Sequence, residues 1–254
     1  MKLLKTLVAA AALAVSASAF AVPVLPGTET PLQTIINNAY GGTGSPVTSA
    51  PNVNTNQSGA ELFKIEASQG SIATMIIEIA GNAATNLFGI YDPSNAATRL
   101  QLFGGSATAG GIVTLYQYAG NMFSTTSSGN LFNPPADAVQ FSGSTFGYYL
   151  GTANNGTFYS QASLNGGNAQ MVSYQGDGDQ VNFLGNGFGP ATWGPSSFLL
   201  AWEDTPYGNS DKDFNDMVVY VESVNKVPEP GSLALLGLGL AGLAAVTRRK
   251  QKKA

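Results

Sequence analysis

Phe198-Leu199-Leu200-Ala201-Trp202 and Met217-Val218-Val219-Tyr220-Val221-Glu222-Ser223-Val224 are two apolar runs on either side of a polar stretch. That stretch holds Glu203, Asp204, Asp211, Asp213 and Asp216. Both runs are short and rich in β-branched and aromatic residues, so they read as strands. The polar stretch is then a loop joining neighbouring strands. Working outward, similar runs recur at Phe63–Ala67, Ile72–Ile79, Leu87–Tyr91, Arg99–Phe103, Ile112–Tyr118, Val139–Leu150, Thr157–Ala162, Ala169–Tyr174 and Gln180–Leu184. Gly, Asn, Ser and Pro separate them, and helical periodicity is hard to find after residue 60. About eleven short strands with turn chemistry between them give an all-β fold, an antiparallel β-sandwich of jelly-roll type. Asn155-Gly156 and Asn165-Gly166 fit hairpin turns.

The N-terminal part differs. Leu32, Ile35, Ile36 and Tyr40 have helical spacing, and residues 41–59 are rich in Gly, Ser, Thr, Pro and Asn without periodicity. Residues 22–60 are therefore expected to be an irregular segment with one short helix at 27–40, and residues 61–226 the β-sandwich domain.

Both ends are directed to a membrane. Lys2 and Lys5 precede an apolar stretch, Leu7–Val15, and Ala19-Phe20-Ala21 fits a cleavage site. Residues 1–21 read as a secretory signal peptide. At the other end Val227-Pro228-Glu229-Pro230-Gly231 leads into an apolar run from Leu233 to Val246, followed by Arg248, Arg249, Lys250, Lys252 and Lys253. With its neighbours the run reaches about 17 residues, the lower limit for a membrane-spanning helix. The basic tail stays on the cytoplasmic side and the body outside. Gly237-Leu238-Gly239-Leu240-Ala241-Gly242 spells a dinucleotide fingerprint, but it lies inside the apolar run and lacks the strand and βαβ unit that the fingerprint needs.

The Pro228-Glu229-Pro230 motif, the short apolar helix and the Arg248, Arg249, Lys250 anchor together resemble the PEP-CTERM sorting signal, here over residues 227–254. The resemblance implies export, transient anchoring in the inner membrane, and processing near the motif by an exosortase. It also implies release or attachment at the cell surface, in bacteria that make exopolysaccharide.

Net charge is −4 for the whole chain, but the charges are unevenly placed. Residues 22–227 keep fourteen of the 15 acidic residues and only Lys64, Arg99, Lys212 and Lys226 of the 11 basic ones, a net charge of about −10. Nucleic acid is excluded as a partner, because a phosphate backbone needs a basic face. Cations or neutral polymers such as sugars suit this balance. There is no cysteine, so no disulfide framework supports an exported domain. There is also no histidine, which removes Ser-His-Asp and Cys-His nucleophiles and the usual ligands of catalytic zinc.

The acidic loop carries the densest chemistry. Five carboxylates this close repel one another unless a cation or protons neutralise them. Calcium, which takes six to eight oxygen ligands, is the natural counter-charge outside the cell. Glu203, Asp204, Asp211, Asp213, Asn215 and Asp216 are the candidate ligands, with Asp211, Asp213 and Asp216 foremost. Asp211, Asp213, Asn215 and Glu222 fall at EF-hand positions, but Asp216 stands where that loop needs Gly and a strand follows, so an EF-hand is rejected. The plainer alternative is a solvated hairpin loop whose Asp and Asn residues cap turns. Gln175-Gly176-Asp177-Gly178-Asp179 is a second candidate through Asp177 and Asp179, able to complete the first site if the two loops share an edge. It is also ordinary turn composition.

Trp202-Glu203-Asp204 and Ser210-Asp211-Lys212-Asp213-Phe214-Asn215-Asp216, followed by an apolar strand, are similar to the domain of unknown function number four-one-one-four of bacterial surface proteins. Leu87-Phe88-Gly89-Ile90-Tyr91-Asp92 looks familiar from the same group. The resemblance implies calcium in this loop and brings no enzymatic role. The expected function is a non-catalytic, calcium-stabilised protein of the cell surface or extracellular matrix, associated with exopolysaccharide, biofilm or adhesion. One alternative is a carbohydrate-binding module in which Tyr116, Tyr118, Tyr148, Tyr149 and Trp193 stack on sugar rings. The other is a glycosidase using Glu203 and Asp204, whose carboxyl groups would have to converge to about 5–5.5 Å in a retaining enzyme.

Overall fold

Large side chains alternate along the strand Ser197–Trp202, and both sets are buried. Phe198, Leu200 and Trp202 enter one hydrophobic cluster, while Leu199 and Ala201 enter another. A strand buried on both faces needs a layer on each side, and this one has them. The computed structural model describes residues 21–66, 71–78, 85–105, 107, 109–127, 132–183 and 190–228, giving only the backbone course for 71–78. Residues 21–227 form one unit. The signal peptide before residue 21, and Glu229, Pro230 and the helix and basic tail of the sorting signal, lie outside the described residues. Among the described residues no helix is long and apolar enough to cross a membrane.

Two antiparallel sheets carry the fold. In the six-stranded sheet the order is β15 (Val224–Val227), β1 (Leu62–Ile65), β8 (Phe146–Thr152), β3 (Leu87–Asp92) and β4 (Asn95–Phe103), with β9 (Gly156–Tyr159) pairing beside β1 along β8. The seven-stranded sheet runs β10 (Met171–Gln175), β13 (Ser197–Trp202), β14 (Met217–Glu222), β2 (Ser71–Glu78), β5 (Ile112–Tyr118), β6 (Met122–Ser124) and β7 (Val139–Gln140). A small ribbon pairs β11 (Gln180–Val181) with β12 (Ala191–Thr192). The sheets share a core of aromatic rings, among them Phe63, Phe88, Tyr148 and Phe198, stacked or edge-on at 5.1–5.4 Å between centroids. Such pairs add about 0.5–1.5 kcal/mol each beyond burial.

The third layer comes from the N-terminal segment. Helix α1 (Leu32–Tyr40) buries Leu32, Ile35, Ile36, Ala39 and Tyr40, the one-sided spacing of an amphipathic helix. These pack with Val172, Tyr174, Leu199, Ala201, Val218 and Tyr220 on the outer face of the seven-stranded sheet. Residues 22–60 thus contribute a second core as well as irregular chain.

Two strand readings and one turn reading need correction. Val139–Leu150 is two strands in different sheets, β7 and β8, separated by a turn at 141–145. Met217–Val224 is also split. Ser223 takes a left-handed φ of 60°, so the chain turns a corner there, leaving β14 in one sheet and β15 in the other. The Ser223 carbonyl accepts a hydrogen bond from the Glu66 N–H at 2.9 Å, which ties the corner down. Asn155-Gly156 does close the β8–β9 hairpin, with Gly156 at φ 82°. Asn165-Gly166 instead ends a single 3-10 turn (Ala162–Asn165). The strands β6 and β12 have two or three residues each, too few to show a period.

Asp92 explains why β7 and β8 separate where they do. It is 3 % exposed and sits at the end of β3. Its Oδ2 accepts the Ser142 N–H at 2.6 Å and the Ser142 hydroxyl at 2.7 Å. Its Oδ1 accepts the Ser94 N–H at 2.9 Å and the Ser94 hydroxyl at 2.8 Å. One carboxylate thereby pins the β3–β4 turn to the turn before β8. Burial works against its charge, but the four donors outweigh it and hold the carboxyl below the usual range. Asp92→Ala should cost about 2–4 kcal/mol in urea unfolding, because two backbone N–H groups lose a charged acceptor. The depressed pKa means that this contribution is present above the unfolded value near 3.9 and is lost as pH falls through the folded one. Asp92→Ala should therefore lose less relative stability at pH 3 than at pH 7.

Candidate metal centre

The acidic loop leaves β13 at Trp202 and returns at Met217, two residues that face each other in the β13–β14 register. Its first residue is still fixed by the sheet edge, since the Glu203 N–H donates to the Gln170 carbonyl at 3.0 Å. Phe214 is fully buried in the outer core and anchors the far side of the loop. Between them Lys212 and Phe214 take left-handed φ values of 65° and 54°. Left-handed backbone in non-glycine residues costs of order 1–3 kcal/mol each and persists where the surroundings enforce it.

This backbone brings together three carboxylates. Oxygens of Glu29, Asp211 and Asp213 all lie within 4.8 Å of one another, with Glu29 and Asp211 exposed and Asp213 buried. Glu203 stands behind them at zero exposure. Its Oε1 accepts the Phe214 N–H at 2.6 Å, while its Oε2 is buried with no hydrogen-bond partner. Asn215, also at zero exposure, donates through Nδ2 to Asp213 Oδ2 at 2.8 Å and to the Thr30 carbonyl at 2.9 Å. Its Oδ1 has no partner. Two buried oxygens without donors, beside three converging carboxylates, form an all-oxygen set. That is the donor chemistry of a hard cation such as calcium, bound at 2.3–2.6 Å by six to eight oxygens. It fits that ion without His or Cys.

The carboxyl groups bear the strain of this arrangement. Burial first, then the charges of Asp211, Glu203 and Glu29, push Asp213 up to about 6. Burial, with a further push from Asp211, also raises Glu203. The only basic residue of the loop, Lys212, has its ammonium over the Tyr207 ring at 4.9 Å.

Asp204 and Asp216 lie outside the 4.8 Å group and form a separate pair. The Asp204 N–H donates to Asp216 Oδ2 at 2.8 Å. The Asp204 carboxylate is met by Asn86 Nδ2 at 3.2 Å and the Thr205 hydroxyl at 3.2 Å, and its carbonyl accepts Asn155 Nδ2 at 2.9 Å. Asp204 therefore works as a structural acceptor tying β13 to the β8–β9 hairpin and to Asn86. Burial, followed by the charges of Asp204, Glu203 and Asp213, lifts Asp216 to about 7. The two carboxylates proposed for glycoside cleavage, Glu203 and Asp204, are both buried and bind different partners.

Asp177 and Asp179 do not reach this site. β10 pairs Met171 with Trp202 and Gln175 with Phe198, so the loop after Gln175 lies at the opposite end of β13 from Glu203. There the Asp179 N–H donates to Asp177 Oδ1 at 3.1 Å and Gly178, at φ 103°, bonds to the Trp193 carbonyl, which is a turn. Sugar-stacking platforms are not formed by the expected aromatics either. Tyr118, Tyr148, Tyr149 and Trp193 are buried in cores or under neighbouring side chains, and Tyr116 is half-buried.

Two partners of the loop escape a sequence reading. Glu29 comes from the far end of the domain, and no spacing connects it to Asp211. Gly27 has φ +57°, and a Cβ there would fall within the Asp213 carboxylate. The only signal is that Glu29 is the first acidic residue of the chain.

Comparison with known families agrees with both ends of this description. Residues 138–224 match the family described as Domain of unknown function (DUF4114), a range that spans the strands β7 to β14 and the whole acidic loop. Residues 226–250 match the PEP-CTERM protein-sorting motif. No curated protein and no solved structure matches the chain. The sorting motif implies an exported protein that is anchored in the membrane and then processed by exosortase.

The raised carboxyls of Asp213 and Asp216 fix the sign of a pH effect. In the ion-free protein they bind protons more tightly folded than unfolded, so stability falls as pH rises from about 4 through 7. Without divalent cations the melting temperature should be higher at pH 5 than at pH 8. With calcium present the contribution of Asp213 should reverse in sign, because protons compete with the ion for its oxygens, while that of Asp216, which lies outside the site, keeps its direction. Thermal melts at the two pH values, with calcium and with chelator, check both signs.

Proposed function

We propose that the exported domain is a non-catalytic, calcium-stabilised component of the cell surface or extracellular matrix. Calcium is held at the end of the β13–β14 hairpin by Glu29, Asp211 and Asp213, with Glu203 and Asn215 supplying further oxygens. The single observation behind this reading is the convergence of three carboxylates within 4.8 Å beside two buried oxygens that lack any donor. Exosortase is the processing partner, and the C-terminal apolar helix is the membrane anchor before processing. Removal of the basic tail leaves a domain of about −10, which suits cations and neutral exopolysaccharide and repels polyanions. Matrix association or adhesion, rather than turnover of a substrate, fits a site whose carboxylates are occupied in holding the fold together. The separate engagements of Glu203 and Asp204 speak against a paired-carboxylate glycosidase.

An ion that binds only the folded state adds about 2.7 kcal/mol at a concentration 100 times its Kd. For a domain of this size that raises the melting temperature by roughly 5–11 °C. Calcium should produce such a shift, chelator should remove it, and Asp213→Asn and Asp211→Asn should each abolish most of it. A melting temperature indifferent to calcium in the parent protein contradicts the assignment.

A further inference from the structure

Residues 21–30 run as a strap alongside the acidic loop, and their contacts with it fall on Asp211 to Asn215. The Leu25 N–H donates to the Lys212 carbonyl at 2.8 Å. Gly27 lies so close to the Asp213 carboxylate that no side chain fits between them. The Thr30 carbonyl accepts Asn215 Nδ2 at 2.9 Å. Glu29 brings its carboxylate within 4.8 Å of those of Asp211 and Asp213. At its other end the strap is stitched to its own segment. The Val22 N–H donates to Gln57 Oε1 at 2.8 Å, and the Val24 N–H to Asn54 Oδ1 at 2.8 Å. Pro31 and helix α1 follow directly, and the helix covers the outer face of the seven-stranded sheet.

The strap therefore meets the loop through two neutral hydrogen bonds and one close packing contact, while its one charged side chain, Glu29, faces two charges of the same sign. Like charges at this separation repel, and the repulsion is strongest where Asp213 is buried. A divalent cation among the three carboxylates turns that repulsion into a bridge. The geometry points to an ion-fastened strap: a cation shared by Glu29 of the N-terminal segment and Asp211 and Asp213 of the β13–β14 loop holds residues 21–30 in place, and its loss frees them. This rests on the cation site proposed above but goes beyond it, since an ion held by the loop alone would leave the strap indifferent. Ala19-Phe20-Ala21 is the expected cleavage site, so cleavage after Ala21 leaves residues 22–30 of the strap as the new N-terminus of the exported chain. The fastener would then close only after export, where calcium is available.

Hydrogen exchange of the purified protein, read by mass spectrometry on peptides covering residues 21–35, tests this alongside calorimetric titration with calcium. Calcium should slow exchange of the Leu25 amide at least tenfold relative to chelator, while the amides of Leu199–Ala201 in β13 keep their protection in both. Glu29→Gln should weaken calcium binding about tenfold or more and remove the calcium-dependent protection. Glu29→Lys should restore protection in chelator, because an ammonium then sits between Asp211 and Asp213. If calcium binds but exchange at 21–30 does not change, or Glu29→Gln binds calcium like the parent, the strap is overturned and the loop site stands. If the parent protein binds no calcium, the site and the strap both fall.

Discussion

The Glu203 carboxylate lies at zero exposure with one oxygen bonded to the Phe214 N–H and the other to nothing. That constraint shapes the surrounding structure. A buried carboxylate must be protonated, hydrogen-bonded or matched by a cation. Here burial raises its pKa, outweighing the Phe214 N–H and the nearby Ser210 and Lys212 donors that lower it, and the neighbouring charge of Asp211 adds to the rise. The hairpin that carries it cannot simply turn the side chain to solvent, because β13 is fully buried and its neighbours fix the register on both edges. The charge problem is thus built into the end of a strand that is buried along its whole length.

Everything near the loop can be understood as a response to it. Left-handed backbone at Lys212 and Phe214 accompanies the gathering of Asp211 and Asp213. Phe214 takes the opposite role and seals the loop to the outer core. Glycine at position 27 lets the N-terminal chain approach the Asp213 carboxylate, and Glu29 adds a third charge from outside the loop. Asp204 and Asp216 are taken up separately by Asn86, Thr205 and each other's backbone and side chain. The loop is therefore two arrangements, one hydrogen-bonded and one short of positive charge.

The fold class was legible because strands and turns write local patterns. Phe198–Trp202 and Met217–Glu222 appear in the structure almost at the limits that their composition suggests. The change of sheet at Ser223 was not legible, since one polar residue in an apolar run looks like an exposed position rather than a corner with positive φ. The break between Gln140 and Phe146 depends on Asp92, which lies far away in sequence. The same limit applies to the site. The loop advertises its own carboxylates by density, but density could not separate Asp204 and Asp216 from Asp211 and Asp213. Nor could it bring in Glu29, whose proximity is created by the third layer packing on the sheet. The aromatic residues misled for a related reason, because their spacing is the same whether they face a sugar or a core.

The C-terminal signal and the acidic loop address different questions. The sorting motif implies export and processing, and the loop, on the function proposed above, carries the domain's demand for a cation. The central claim is that a single hard cation satisfies the charge at the end of the β13–β14 hairpin. Anomalous diffraction from a crystal grown with calcium is the most direct measurement. The account predicts one strong peak bounded by oxygens of Glu29, Asp211 and Asp213, with Glu203 or Asn215 completing the shell. No peak there at saturating calcium, or a peak confined to Asp177 and Asp179, would contradict it.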